Sequence, residues 1–232
     1  MHPTTPTTGR YLPMNDELYD YVVAHRSNVQ DPLLDALRAD TAGLGEVGTM
    51  ATSLELGSLL NLLAAAVGSK WAVEIGTFTG LSSINIARAL LPGGKLYCFD
   101  QDYKWTSMAR RYWIKAGLND RIELRLGEAH RMFPHFRPQG PLDFVFIDAD
   151  AESFDTYYEF MLPLVRPGGL IVFNNMLRNG QLIHVTDKNQ MENRAIDQMN
   201  RKLSNDQRIQ GVLLPLAGGI YLCRRRALIK AW

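Results

Sequence analysis

Cysteine is almost absent: Cys98 and Cys223 are the only two in 232 residues. Both stand inside apolar, strand-like runs. That predicts buried thiols in a reducing compartment and argues against a disulfide scaffold or a thiolate metal centre. Charge of one sign is missing too. Lys and Arg number 25 against 24 Asp and Glu, leaving a net charge of +1. This balance gives no footing for a nucleic-acid, anionic-membrane or polyanionic partner. No apolar run reaches the ~20 residues that span a bilayer. The opening Met1-His2-Pro3-Thr4-Thr5-Pro6-Thr7-Thr8 has no basic stretch followed by an apolar one, so it does not read as a secretion leader. Residues 1–10 are expected to be a disordered tail, and the protein is expected to be cytoplasmic. What remains is ordinary, with 46% hydrophobic and 21% charged residues. A chain of this length and content can bury one sizeable core.

Hydrophobic periodicity divides the chain. Over 16–45, Leu18, Tyr21, Val22 and His25 share one face at helical spacing. Asp31-Pro32 supplies a cap and first turn for a second short helix, which Gly43 and Gly45 end. This N-terminal helical extension, 11–47, could pack on a core, cover a pocket or join a dimer. Leu56, Leu59, Leu60 and Leu63 predict a third helix. An alternation follows, with strands at 71–75, 95–100, 122–126, 143–148 and 169–174 and helices near 80–91, 104–116 and 154–164. Such alternation predicts a parallel sheet with helices on both faces. Met191, Ala195, Met199 and Leu203 mark a further helix over 191–204. Val212–Leu216 and Ile220–Arg224 then flank Ala217-Gly218-Gly219, a hairpin signal. The expected architecture is a single α/β domain, 1–232, with its core over 48–226. Seven mostly parallel strands form a Rossmann-like sheet closed by a C-terminal antiparallel hairpin.

In an open parallel sheet, ligands lie beyond the carboxyl ends of the strands. Those ends read Glu74-Ile75-Gly76, then Asp100, Leu126-Gly127-Glu128-Ala129, Phe146-Ile147-Asp148-Ala149-Asp150 and Asn174-Asn175. Gly76 and Gly80 leave room for ligand atoms beside the backbone. Asp100 can accept both hydroxyls of a ribose, and the small residues near Ala129 leave room for an adenine ring. Glu-x-Gly-x-x-x-Gly is not the Gly-x-Gly-x-x-Gly of dinucleotide sites. The missing Gly-x-Gly argues against a pyrophosphate, and so against NAD, and in favour of S-adenosylmethionine.

Residues 48–224 resemble the caffeoyl-CoA and catechol type of class I O-methyltransferase. The likeness is carried by Met50-Ala51-Thr52, Val73-Glu74-Ile75-Gly76-Thr77-Phe78-Thr79-Gly80, Tyr112-Trp113-Ile114-Lys115-Ala116-Gly117, Phe144-Val145-Phe146-Ile147-Asp148-Ala149-Asp150 and Leu164-Val165-Arg166-Pro167-Gly168-Gly169. The resemblance implies S-adenosylmethionine-dependent methyl transfer to a small phenolic or catechol-like acceptor. It places Met50 and Thr52 at the methionine end of the cofactor, and Glu74, Gly76 and Ser82 on its amino-acid portion. Asp100 falls on the ribose, Ala129 beside the adenine, and Asp148 and Tyr157 near the sulfonium. It also implies a homodimer, with the N-terminal helices sharing in subunit contacts and the acceptor pocket.

Two positions depart from that pattern. Three family side chains hold a divalent cation, Mg²⁺ or Ca²⁺, and they align with Asp148, Asn174 and Asn175. The middle carboxylate has become an amide, so the ligand charge falls from two negatives to one. Ala151 stands where the family carries a lysine placed to help deprotonate the acceptor. Asp148 is the catalytic candidate, orienting the acceptor oxygen with Asn174 and Asn175 either directly or through a cation. Three readings follow. The first is a metal-assisted enzyme with a weakened site and an acceptor acidic enough to ionise readily. The second is a metal-independent methyltransferase with another base, or with an amine or carbon acceptor. The third is a non-catalytic cofactor-binding protein. His184, in the loop 176–188 expected to arch over the acceptor, is one replacement base; an exposed loop histidine is the alternative. Asp150 is a second base or a backbone hydrogen-bond acceptor. Trp105 either stacks near the adenine or covers the sheet edge. Arg178 either pairs with an acidic acceptor or points into water. His130 and His135 read as surface or capping residues. The double departure fits specialised metabolism better than housekeeping metabolism.

Overall fold

A computed structural model describes residues 11–27, 30–183 and 190–227. Asp16–Ala24 (α1) begins where the Asn15 side chain accepts from Leu18 N–H at 2.8 Å, and none of its residues is buried. Asp31 caps Pro32–Ala42 (α2) by accepting from Leu34 N–H, with proline at the helix start as the sequence suggested. A 3₁₀ segment, Gly45–Met50, and an extended Ala51 lead into Leu54–Ala66 (α3). Taken end to end, Gly45–Ala66 is long and apolar enough to cross a membrane by length and composition. The break at Ala51 divides it, and the 13 residues of α3 rise only ~20 Å against ~30 Å of bilayer hydrocarbon. Its buried Leu56, Gly57, Leu60 and Ala64 pack instead on Leu81–Ala89 (α4).

The strands are Trp71–Ile75 (β1), Lys95–Asp100 (β2), Ile122–Leu126 (β3), Leu142–Ile147 (β4), Val165–Phe173 (β5), Ile209–Leu214 (β6) and Ile220–Arg225 (β7). They form a seven-stranded sheet in the order β3-β2-β1-β4-β5-β7-β6. β1 to β5 pair in parallel, and β7 runs against both its neighbours. The remaining helices are Tyr103–Lys115 (α5), Ala129–Met132 (α6), Phe154–Met161 (α7) and Gln190–Asn205 (α8).

Side-chain parity sorts the core into two layers. Val73, Ile75, Tyr97, Phe99 and Val145 pack on α6, α7 and α8. Ala72, Leu96, Cys98, Phe144 and Phe146 pack on α2, α3, α4 and α5. Trp113 is 2% exposed and its indole N–H donates to Ser83 Oγ at 2.9 Å, so its one polar atom is satisfied. The foot of the sheet is pinned by one ion pair. Asp143 accepts from Arg166 Nε at 2.6 Å and from the N–H groups of Lys70 and Trp71, while Arg166 also donates to Val67 O at 2.7 Å.

The doubly wound sheet and its closing hairpin match the expected architecture. β5 is the main difference, starting at Val165 and not at 169. Pro167-Gly168-Gly169 reads as a turn, yet it lies within a strand whose pairing to β4 shifts register between Leu142 and Phe144. A bulge of this kind is where proline and glycine are admitted to a sheet. The short α6 carries too little periodicity to be seen in the sequence. The expected tail, 1–10, lies outside the described residues.

Candidate active site

Backbone hydrogen bonds continue past the strand ends and set the rim residues side by side. Gly76 N–H donates to Phe99 O at 2.9 Å, Asp148 N–H to Ile75 O at 2.8 Å, and Asn174 N–H to Ile147 O at 3.0 Å. β1 and β4 adjoin although β2 and β3 lie between them in sequence, so this is the point where the strand order reverses. A cavity of about 990 Å³ opens there, at the place such sheets bind ligands. Met50, Thr52, Gly76, Ser82, Asp100, Ala129, Asp148, Tyr157, Asn174 and Asn175 all line it.

The glycine loop is shaped by the protein itself more than the sequence suggested. Gly76 has φ +89° and a Cβ there would collide with the carbonyl of Asp148. Gly80 has φ +91°, and a Cβ would meet Ala109 Cβ at 2.8 Å and Trp113 Nε1 at 2.9 Å. Both positions need glycine for backbone and packing reasons, and of the two only Gly76 reaches the cavity. Asp100 holds the loop from the β2 end. Its Oδ2 accepts from the N–H groups of Thr77 and Phe78 at 2.9 and 2.8 Å, and its Oδ1 from Asp102 N–H at 2.8 Å. Phe78, at φ +50°, is thereby fixed edge-on to Trp105, with ring centroids 5.5 Å apart. Trp105 and His130 both line the cavity, and His130 does so while remaining exposed.

Glu74 requires a correction. It is fully buried and does not line the cavity. It shares the parity of Ala72 and so points into the α4 layer, behind the loop. The Cys98 thiol donates to its Oε2 at 3.3 Å, and its Oε1 is buried without a hydrogen-bond partner. Burial pushes the carboxyl up to about 8, opposed by the neighbouring side chains of Ser82, Cys98 and Thr77, which lower it. Glu74 therefore backs the loop, and Gly76 and Ser82 are the neighbours that face the cavity.

The opposite wall comes from segments whose periodicity carried no chemical signal. Tyr19 of α1 donates to Glu55 Oε2 at 2.7 Å and Ser53 Oγ donates to Glu55 Oε1 at 2.7 Å; all three line the cavity. Burial and the Glu55 carboxylate push the Tyr19 hydroxyl up to about 12. Ala217 and Gly218 of the hairpin turn and Asn179 complete this side. Arg178 is turned away from it and ion-paired with Glu192 of α8, so neither reading of it, acceptor contact or free solvation, stands. Asp150 Oδ1 is taken by the Tyr157 hydroxyl at 2.7 Å. His184 lies outside the described residues.

The cation implied by the resemblance would have to be held by Asp148, Asn174 and Asn175. Asn174 Nδ2 donates to Asp148 Oδ2 at 3.0 Å, and Asn175 Nδ2 donates to Asp148 Oδ1 at 3.3 Å. One carboxylate faces two amides, and both amides present nitrogen. To bind a hard cation both would have to turn, giving up the amide–carboxylate hydrogen bonds at 3.0 and 3.3 Å. The set does not fit a divalent cation. Burial pushes the Asp148 carboxyl up to about 6, with the Asn174 amide opposing the rise.

A doubly wound sheet closed by a β6–β7 hairpin, with acids and glycines gathered at the β1/β4 rim, defines a class I methyltransferase fold. The O-methyltransferase family matches residues 24–226, and the chain belongs to that family. It is 33% identical over 226 residues to a Dictyostelium discoideum protein named probable caffeoyl-CoA O-methyltransferase 1, covering 96% of this chain and 98% of that one. It is 33% identical over 211 residues to catechol O-methyltransferase of Niastella koreensis, covering 88% and 94%. Among solved structures, the O-methyltransferase TomG of Streptomyces achromogenes, involved in tomaymycin synthesis and in complex with S-adenosylmethionine, superposes with TM-score 0.82 at 26% identity. That match covers 93% of this chain and all (100%) of the other.

Proposed function

We propose that the protein transfers a methyl group from S-adenosylmethionine to a hydroxyl of a small phenolic or catechol-like acceptor. The observation that carries the reading is one cavity whose two walls differ in chemistry. Gly76, Ser82, Asp100, Trp105 and Ala129 line one side, the set expected for an adenosyl and amino-acid ligand. Tyr19, Glu55, Asn175 and Gly218 line the other, with room for a second, smaller molecule. Asp148 and Tyr157 stand between, beside the place where a sulfonium would lie. In this arrangement Thr52 and Met50 border the methionine end, and Asp100 uses its remaining acceptor capacity on the ribose.

The sulfonium methyl is already electrophilic. The acceptor hydroxyl gives its proton to a base, its oxygen attacks the methyl carbon, the carbon–sulfur bond breaks, and that bond's electron pair stays on sulfur, giving S-adenosylhomocysteine and an ether. The protein's part is to hold the oxygen, methyl and sulfur in line, an alignment that can supply several kcal/mol. His184 remains the proposed base. The oxygen chemistry of the named relatives supports a hydroxyl acceptor over an amine or carbon one. The exposed Tyr11, Leu12, Met14 and Tyr21 around α1 support a homodimer. The free, buried Cys98 and Cys223 support a cytoplasmic setting, and the altered rim supports specialised metabolism. The whole chain is taken as one catalytic domain.

Calorimetry with S-adenosylmethionine and S-adenosylhomocysteine tests the reading. Binding in the micromolar range is expected, weakened about tenfold or more by Asp100→Ala. No heat with either ligand at about 1 mM would overturn it. Methyl transfer to a panel of catechols then identifies the acceptor.

A further inference from the structure

We infer that Asp148, Asn174 and Asn175 form a hydrogen-bonding seat for the acceptor oxygen that takes no divalent cation. The inference rests on the methyltransferase reading above and concerns the middle of the same cavity.

Three observations carry it. First, both oxygens of the Asp148 carboxylate already accept amide N–H groups, at 3.0 Å from Asn174 and 3.3 Å from Asn175. The carboxylate is satisfied by neutral donors, where a cation site would leave its oxygens converging on an open point. Turning the Asn174 amide would set two acceptor oxygens against each other in place of donor and acceptor. Second, among the described residues no other carboxylate is hydrogen-bonded to this trio. Asp150 is engaged by the Tyr157 hydroxyl at 2.7 Å, and Ala151 is buried, 5% exposed, in the apolar layer. Small Mg²⁺ keeps strict oxygen geometry and Ca²⁺ asks for several oxygen ligands, so a lone carboxylate between two amide nitrogens serves neither. Third, Asn175 is set for another task. It sits at φ +62°, exposed and on the cavity wall. The hairpin fixes the chain just beyond it, with Met176 N–H donating to Gly219 O and Leu177 N–H to Gly218 O, both at 2.9 Å. An amide nitrogen carries two hydrogens. One of those on Asn175 goes to Asp148, which leaves the other for an oxygen of the acceptor.

The test uses the full chain and Mn²⁺ as the probe, followed by its electron paramagnetic resonance signal, with S-adenosylhomocysteine calorimetry on the same samples. The wild type is expected to leave Mn²⁺ free up to about 1 mM. Asn174→Asp, which restores a second carboxylate, is expected to bind it at least about tenfold more tightly. Stoichiometric Mn²⁺ binding by the wild type in the micromolar range would overturn the inference. So would an Asn174→Asp variant that still binds S-adenosylhomocysteine but gains no affinity for Mn²⁺. The two readings fail separately: absent S-adenosylhomocysteine binding removes the methyltransferase function, whereas intact S-adenosylhomocysteine binding with tight Mn²⁺ binding removes only the cation-free seat.

Discussion

Glu74 is fully buried, and burial lifts its carboxyl from 4.5 to about 8. The folded chain therefore keeps a proton that the unfolded chain releases in that interval. For a raised carboxyl, stability is fully present below the unfolded value and declines as pH rises through the folded one. Asp148 is shifted the same way, but only to about 6, so its part of the decline ends earlier. Between about pH 6.5 and 8.5 the remaining slope belongs to Glu74 and is worth as much as a few kcal/mol. Thermal melts of the ligand-free protein should show the midpoint falling by several degrees over that range, and Glu74→Gln should flatten the fall. A wild-type midpoint that does not move would mean the carboxyl is hydrated. This residue also marks a limit of sequence reading. An acid at the end of β1 is plain to see, but β1 is apolar on both faces, as central parallel strands are. No alternation therefore says which face points to the cleft, and parity turned Glu74 toward α4.

The hairpin that ends the sheet shows what an element can do at a distance. Its turn lies against Asn175, and a Cβ on Gly218 would clash with the Asn175 amide oxygen. Gly218→Ala should displace Asn175 and raise the acceptor KM by about tenfold, roughly the weight of one hydrogen bond to a bound oxygen. S-adenosylhomocysteine affinity, measured by calorimetry, should not change. An unaltered KM would detach the turn from the acceptor seat. Ala217-Gly218-Gly219 announced the hairpin because turn chemistry is local. That it would fall on Asn175, some forty residues away in sequence, was not legible, because the β5–β7 pairing that brings them together is non-local. The same holds for Tyr19 and Glu55, which meet only when α1 crosses α3. Asp100, Asp148 and Asn174 were legible for the opposite reason: each ends a strand, and strand ends in a parallel sheet share one rim.

For the whole molecule, the pinned foot and the open rim divide the labour. Arg166 and Asp143 tie β4, β5, β1 and the end of α3 together below the sheet, so the rim need not hold the fold. α1 buries none of its residues and meets α3 through the Tyr19–Glu55 hydrogen bond. A chain lacking residues 1–25 should therefore keep its melting midpoint within a few degrees and its affinity for S-adenosylhomocysteine. It should lose acceptor affinity and, by size-exclusion chromatography, the proposed dimer. Collapse of the truncated chain would show that α1 belongs to the core. The strand order adds a consequence for descent. Residues 71–135 build the flank of the sheet from β1 outward to β3, and 142–227 build the flank from β4 to the hairpin. A single recombination near Gly140, in the surface loop joining the two stretches, exchanges one flank intact. Such an exchange would replace Asn175 and Gly218 while Gly76, Ser82, Asp100 and Ala129 travel together with Tyr19 and Glu55.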